Sequence, residues 1–241
     1  VLFLYLILFL LASRRLYPHT YNIPKCLLKV NGKPIINYQL EALEELNIKE
    51  VTMILGYHRE MIKDHVRTEF PGLNFKFLVN HHYFETNTAY SVFVGKESFN
   101  SDQILMNADV VYPKKLLDIV LNSKFDTVLA VDIKPCGREE VKVIDGGLNK
   151  IVAIGKDLIE NHCLGEFIGV AKISEEFSTH FSDSISKLIH AGGKNDYFEA
   201  GIQPLLDKID VHYVDISKFP CMEIDFIEDL ELAQKIFIEK I

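Results

Sequence analysis

Two hydrophobic periods alternate along this chain. Ile36, Leu40, Leu43 and Leu46 recur at helical spacing behind Pro34, whose fixed φ suits the first turn of a helix. The stretches Arg59 to Thr68, Ala89 to Lys96 and Lys114 to Leu121 carry the same period. Between them lie short β-rich runs: Val51 to Leu55, Phe75 to Val79, Ile104 to Met106 and Thr127 to Val131. Cys26 to Val30 reads as a short extended piece stopped by Asn31-Gly32. Alternating strands and helices over the first 130 or so residues predict a mainly parallel sheet. Val141 to Ile144 and Ile151 to Ile154 flank Asp145-Gly146-Gly147 and predict an antiparallel hairpin. A strand over Phe167 to Ile173, helices over Glu175 to His190 and Tyr197 to Leu206, a strand over Val211 to Val214 and a last helix from about Ile227 to Lys240 follow. No linker or repeat divides the chain, so residues 1–241 read as one α/β domain with a β-hairpin subregion.

Val1 to Ala12 is an unbroken apolar run, followed by Ser13-Arg14-Arg15. It is short of the roughly 20 apolar residues that cross a bilayer. Its positive charges follow the run, whereas a secretory signal carries them in front. The run reads as the buried first strand of a parallel sheet. The first residue is not Met, so a fragment or a trimmed product also stays open.

Composition narrows the partners. There are 26 Lys and Arg against 34 Asp and Glu, a net charge of -8, the opposite of the excess that grips a nucleic-acid backbone. A local basic pocket for a small phosphate remains compatible with that balance. Cys26, Cys136, Cys163 and Cys221 form no C-x-x-C pair, which suggests reduced thiols and a cytoplasmic protein. The nine histidines include no H-x-x-x-H, so zinc is not expected. Neither G-x-S-x-G nor G-x-x-x-x-G-K-[ST] occurs, which weakens serine-hydrolase and P-loop readings.

Open α/β sheets bind ligands beyond the carboxyl ends of their strands. Asp109 stands there, after Ile104-Leu105-Met106, as either a turn residue or a ligand for a divalent metal. Asp225, with Glu228 three residues on, fits a helix start, and a cap can also be a metal ligand. Arg15 and Lys25 bracket a stiff loop with Pro18 and Pro24, where cations either face solvent or meet a phosphate. Lys142 and Lys156 near the hairpin carry the same two readings. Asn195-Asp196-Tyr197-Phe198-Glu199 puts two carboxylates and two aromatics at a helix start, able to cap a helix or to box an organic cation.

Together these residues resemble a family. Arg15-Leu16-Tyr17-Pro18-His19-Thr20 with Pro24-Lys25 is similar to the R-L-x-P-x-T-x-x-x-P-K pattern of the nucleotidyltransferases that activate sugar phosphates and phospho-alcohols. Asn80-x-x-Tyr83, Asn87 and Tyr90-Ser91 resemble the branch that makes cytidylyl derivatives of phosphocholine and 2-aminoethylphosphonate. Asn107-Ala108-Asp109-Val110 resembles the family's G-D-V, and Gly165-Glu166-Phe167-Ile168-Gly169 and Glu223-Ile224-Asp225 complete the set. The resemblance implies a Rossmann-like nucleotidyltransferase fold with a mainly parallel, mixed sheet. It implies Mg²⁺ on Asp109 and Asp225, and Lys25 and Arg15 on the nucleotide phosphates. It also implies nucleotide contacts from Asn87, Ser91 and Asn107. Acceptor contacts are implied from Glu166, Asp196, Tyr197, Glu199, Lys142 and Lys156. The expected substrates are CTP and a small phosphorylated or phosphonate acceptor, with a homodimer as a further expectation. A sugar-1-phosphate transferase using UTP, GTP or dTTP is the alternative.

The chain departs from the family in one place. The family has the glycine-rich loop A-A-G-x-G-S-R-L before its arginine-leucine pair, where backbone N–H groups approach the nucleotide. Here Leu11 and Ser13 stand where glycines are expected. Either the protein is impaired, leaving a catalytically dead nucleotide-binding module, or residues 1 to about 12 are not the authentic start.

Overall fold

The computed structural model describes residues 4–8 and 14–237. The predicted alternation is realised as β1 (Leu4–Leu8), β2 (Lys29–Val30), β3 (Lys33–Pro34), α1 (Ile35–Glu45), β4 (Glu50–Leu55), α2 (Arg59–Glu69), β5 (Asn74–Val79), α3 (Thr88–Val94) and β6 (Gln103–Asn107). Then come β7 (Val110–Val111), α4 (Lys114–Leu121), β8 (Val128–Asp132), β9 (Lys142–Asp145), β10 (Ile151–Gly155) and β11 (Gly165–Ile173). The chain continues through α5 (Glu175–His190), α6 (Glu199–Ile202), β12 (His212–Asp215), β13 (Met222–Glu223) and α7 (Ile227–Ile236).

The main sheet runs β10-β9-β11-β6-β1-β4-β5, with β8 beside β11 and β12 beside β8. β5, β4, β1 and β6 run parallel to one another, and β12 is parallel to β8. β11 runs antiparallel to β6, β8 and β9, so the sheet is mixed. The predicted hairpin is the antiparallel β9–β10 pair.

Alternation along the strands buries both faces. Val51 and Met53 of β4, Ile104 and Met106 of β6, and Val128 and Ala130 of β8 join one core with Leu40 of α1, Val66 of α2 and Leu116 of α4. Their neighbours Ile54, Leu105, Leu129 and Val131 join the opposite core with Val92 of α3 and Phe177, Phe181 and Ile185 of α5. The crossovers after β1 and β4 thus use one face and the crossover after β5 uses the other. That change of face puts the topological switch point between β1 and β6, the place beyond the strands' carboxyl ends where open α/β sheets bind their ligands. In sequence, residues 9–13 follow β1, and Ala108-Asp109 follow β6, which ends at Asn107. Leu11 and Ser13 lie outside the described residues.

Several local predictions are corrected. Lys25–Leu27 is a 3-10 turn, and only Lys29–Val30 is extended, because Leu27 and Leu28 N–H groups turn back to Pro24 and Lys25 carbonyls. Residues from Tyr197 to Leu206 form a four-residue helix and a 3-10 turn; Pro204, which has no N–H to donate, stands where the helix tightens. The last helix is capped one position later than predicted. Phe226 is its N-cap, and Asp229, not Glu228, accepts from the Asp225 and Phe226 N–H groups at 2.9 and 2.7 Å.

Candidate active site

That shift of the cap frees the Asp225 carboxylate. It meets Asp109 across the switch point, with the Lys25 ammonium between them at 2.7 Å from Asp109 Oδ2 and 2.5 Å from Asp225 Oδ1. Backbone pairing brings the two ends together: β7 runs antiparallel to β13, and Ile224 N–H donates to the Asp109 carbonyl at 3.1 Å. Glu223 and Asp225, two apart on extended chain, face the same way. One carboxylate oxygen each from Asp109, Glu223 and Asp225 lie within 4.8 Å of one another. Neither strand was predicted, since two residues carry no period, and Glu223 was not singled out as a ligand.

Gln39 is a second group the sequence hid. It is fully buried on α1 and donates from Nε2 to the carbonyls of Asn107 at 2.7 Å and Val110 at 2.9 Å, clasping the turn that carries Asp109. In sequence it looks like one more polar residue of an amphipathic helix.

Charge in the cluster is tightly coupled. Burial alone would lower the Lys25 pKa, but Asp109, Asp225 and Glu223 outweigh it and hold the ammonium charged. Burial would raise Asp225; the Lys25 and Arg15 charges overcome it and keep that carboxylate ionised. Glu223 is raised well above the ordinary carboxylate range, by desolvation and then by Asp109 and Asp225. Arg15 is exposed, 3.8 Å from Asp225 and 3.8 Å from Glu139, with its guanidinium over the Phe226 ring. Asp109 Oδ1 is buried without a hydrogen-bond partner. An oxygen-only donor set with a spare buried oxygen suits a hard divalent cation such as Mg²⁺, which takes one or two carboxylates and keeps waters.

Of the nucleotide candidates, Asn87 caps α3 through its own side chain. Ser91 is fully buried and accepts from Asn80 Nδ2 at 3.0 Å, so it braces the 80–91 segment from inside. Asn107 Oδ1 is buried without a partner. Its amide packs on Gly169, where φ is +75° and a Cβ would collide with it.

The acceptor candidates divide. The segment before α6 is stitched to the start of α3, with Asn87 N–H on the Lys194 carbonyl, Ala89 N–H on the Asp196 carbonyl and Phe198 N–H on Thr88 Oγ1. Asp196 is exposed. The aromatic box does not form, because Phe198 is fully buried in the core and the Lys156 ammonium sits 4.1 Å from the Tyr197 ring centroid. Glu199 is buried, its Oε2 has no partner, and burial pushes its pKa up to about 7 against a smaller opposing pull from Lys156. Glu166 pairs with Lys134 at 2.7 Å, and burial raises its pKa although Lys134 opposes it. Lys142 does not face a ligand: only 1% exposed, its ammonium is held by the carbonyls of Lys156 at 2.5 Å and of Arg138 and Glu140 at 3.3 Å. It ties the loop before the hairpin to the turn that presents Lys156.

Carboxylates able to hold a cation, beside two basic groups at the switch point of a doubly wound sheet, mark an α/β protein whose site suits a metal-chelated phosphate group. A Nucleotidyl transferase family model matches residues 12–135, and the chain belongs to that family of enzymes. It is 28% identical to the CTP:phosphoglutamine cytidylyltransferase of Campylobacter jejuni, over 90% of this chain and 94% of that one. It is 26% identical to the choline-phosphate cytidylyltransferase of Streptococcus pneumoniae, over 92% and 93%. Among solved structures it is similar to the S. pneumoniae CTP:phosphocholine cytidylyltransferase, with a TM-score of 0.81, 23% identity and 98% and 99% coverage. A UDP-glucose pyrophosphorylase shares the fold at a TM-score of 0.78 and 12% identity, with 100% of each chain covered. No helix among the described residues is long and apolar enough to cross a membrane.

Proposed function

We propose that this protein is a Mg²⁺-dependent cytidylyltransferase that moves CMP from CTP to a small, cationic phospho- or phosphono-acceptor and releases pyrophosphate. The observation that carries the reading is the Asp109–Lys25–Asp225 cluster at the switch point. CTP is favoured because two relatives aligned along nearly the whole chain carry CTP-linked or cytidylyl names. A phosphate or phosphonate oxygen of the acceptor attacks the α-phosphorus. The new P–O bond forms as the bond to the β-phosphate oxygen breaks, and that oxygen leaves with pyrophosphate. The nucleophile is already an anion, so no general base is needed, and catalysis is positioning and charge neutralisation. Bound on Asp109 and Asp225, Mg²⁺ would supply charge stabilisation at the phosphates. Lys25 and Arg15 bind the triphosphate oxygens and offset the charge that grows on the leaving group. Lys156 faces the acceptor's phosphate, and Glu199, Glu166 and Asp196 face its cationic end. With no open aromatic box, that end is read by carboxylates, which suits a protonated amine. The proposed setting is the cytoplasm, in keeping with four free cysteines.

Pyrophosphate release measured with CTP, UTP, GTP and dTTP in turn, each with phosphocholine, 2-aminoethylphosphonate and glucose 1-phosphate, tests this. Preference for CTP with a cationic acceptor supports it. UTP with the sugar phosphate supports the alternative, and no turnover with any pair points to an impaired binding module.

A further inference from the structure

Resting on the reading of the carboxylate cluster as a cation site, we propose that Lys25 is its resident cation: the ammonium fills the divalent-ion position until a polyphosphate draws it away. Lys25 is 8% exposed and reaches both carboxylates, at 2.7 and 2.5 Å. A divalent ion bridging Asp109 and Asp225 would compete with the ammonium for the same pair of carboxylates. The three carboxylates bring one oxygen each within 4.8 Å of one another, so an ammonium and a divalent ion there would meet the same negative charge and repel each other. Lys25 leads a 3-10 turn behind buried Pro24, so its backbone is fixed while its four-carbon stem can swing. Arg15 is half exposed and only 3.8 Å from Asp225, too loosely held to replace Lys25 as the cluster's counter-ion. The consequence is an order of binding. A free divalent ion meets a neutralised cluster and binds weakly. A triphosphate offers Lys25 a better set of oxygens, vacates the position and brings its own metal into it. The enzyme thus does not sit loaded with metal, and Lys25 delivers its charge to the phosphates in the same movement that opens the metal position.

The test uses the full chain without nucleotide, with Mn²⁺ as probe and free Mn²⁺ read by electron paramagnetic resonance. Lys25→Met is expected to bind Mn²⁺ at least tenfold more tightly than the native chain. Adding Asp109→Asn to that variant should abolish the gain. Equal affinity in Lys25→Met and native chain, or no binding in either, overturns the proposal. Should Lys25→Met not fold, Lys25→Gln keeps a polar end without the charge and is held to the same criterion. No nucleotide or acceptor is present, so a chain that proves to use UTP or a sugar phosphate leaves these outcomes untouched.

Discussion

Glu199 stores a pH dependence that one substitution removes. Its carboxyl is 4% exposed, Oε2 has no partner, and its pKa stands at about 7 against an ordinary 4.5. A raised carboxylate pKa means that the folded state holds the proton more tightly than the unfolded chain. The stabilisation from that proton is therefore complete below about pH 4.5 and is lost as pH rises through about 7. At 1.4 kcal/mol per tenfold change, the gap corresponds to about 3 kcal/mol. The expected perturbation is Glu199→Gln, which keeps the shape and cannot ionise. Whatever fixed cost the extra amide donors carry is the same at every pH. The stability of the variant relative to the native chain should therefore climb by about 3 kcal/mol between pH 4.5 and 7.5 and then level off. At about 2–4 °C per kcal/mol for a domain of this size, that is a relative gain in Tm of roughly 6–12 °C. Paired thermal melts across pH 5 to 8.5 measure it. A difference between the two melting curves that is flat with pH would refute the reasoning. The same ionisation should tighten binding of a cationic acceptor, so the native KM for 2-aminoethylphosphonate should fall as pH passes 7 and the variant's should not.

Asp109→Asn should lower turnover at least about a hundredfold and shift the Mg²⁺ requirement upward, because the metal has few other protein ligands, measured as kcat against metal concentration. Lys25→Ala should cost about 10²–10³ in kcat at saturating nucleotide, in the range of single charge-stabilising donors; kcat within a few-fold of native would remove Lys25 from the chemistry. Gln39→Leu leaves the Asn107 and Val110 carbonyls without their donor, at about 1–3 kcal/mol each, so Tm should drop by several degrees while the metal requirement rises. An unchanged metal requirement would make Gln39 a core residue only.

The long elements were legible because both periods are strong: Lys114–Leu121 and Glu175–His190 fall where the spacing of apolar residues puts them. The switch point between β1 and β6 was half legible, since a first strand within Val1 to Ala12 and a strand over Ile104 to Met106 could be read but their adjacency in the sheet could not. In the structure Asp109 and Asp225 lie together with Lys25 and Arg15. What the sequence could not carry are the long-range pairings. The β7–β13 bridge joins segments more than 100 residues apart through two residues on each side. Beside the hairpin Lys142 could either face solvent or meet a phosphate, the resemblance implied an acceptor contact, and only the fold turns three carbonyls onto it. The cation box failed for a similar reason, since Phe198 is needed in the core beside Phe167 and Phe181.

The most direct measurement follows the phosphorus atoms. The native chain, incubated with CTP, Mg²⁺ and 2-aminoethylphosphonate or phosphocholine, is monitored by ³¹P nuclear magnetic resonance beside the Asp109→Ala variant. The expected result is a new pair of coupled resonances from a CMP-linked product, growing in step with pyrophosphate, absent when Mg²⁺ is chelated and nearly absent in the variant. Pyrophosphate release that persists in Asp109→Ala, or a native chain that leaves CTP intact while consuming UTP with a sugar 1-phosphate, would contradict the assignment.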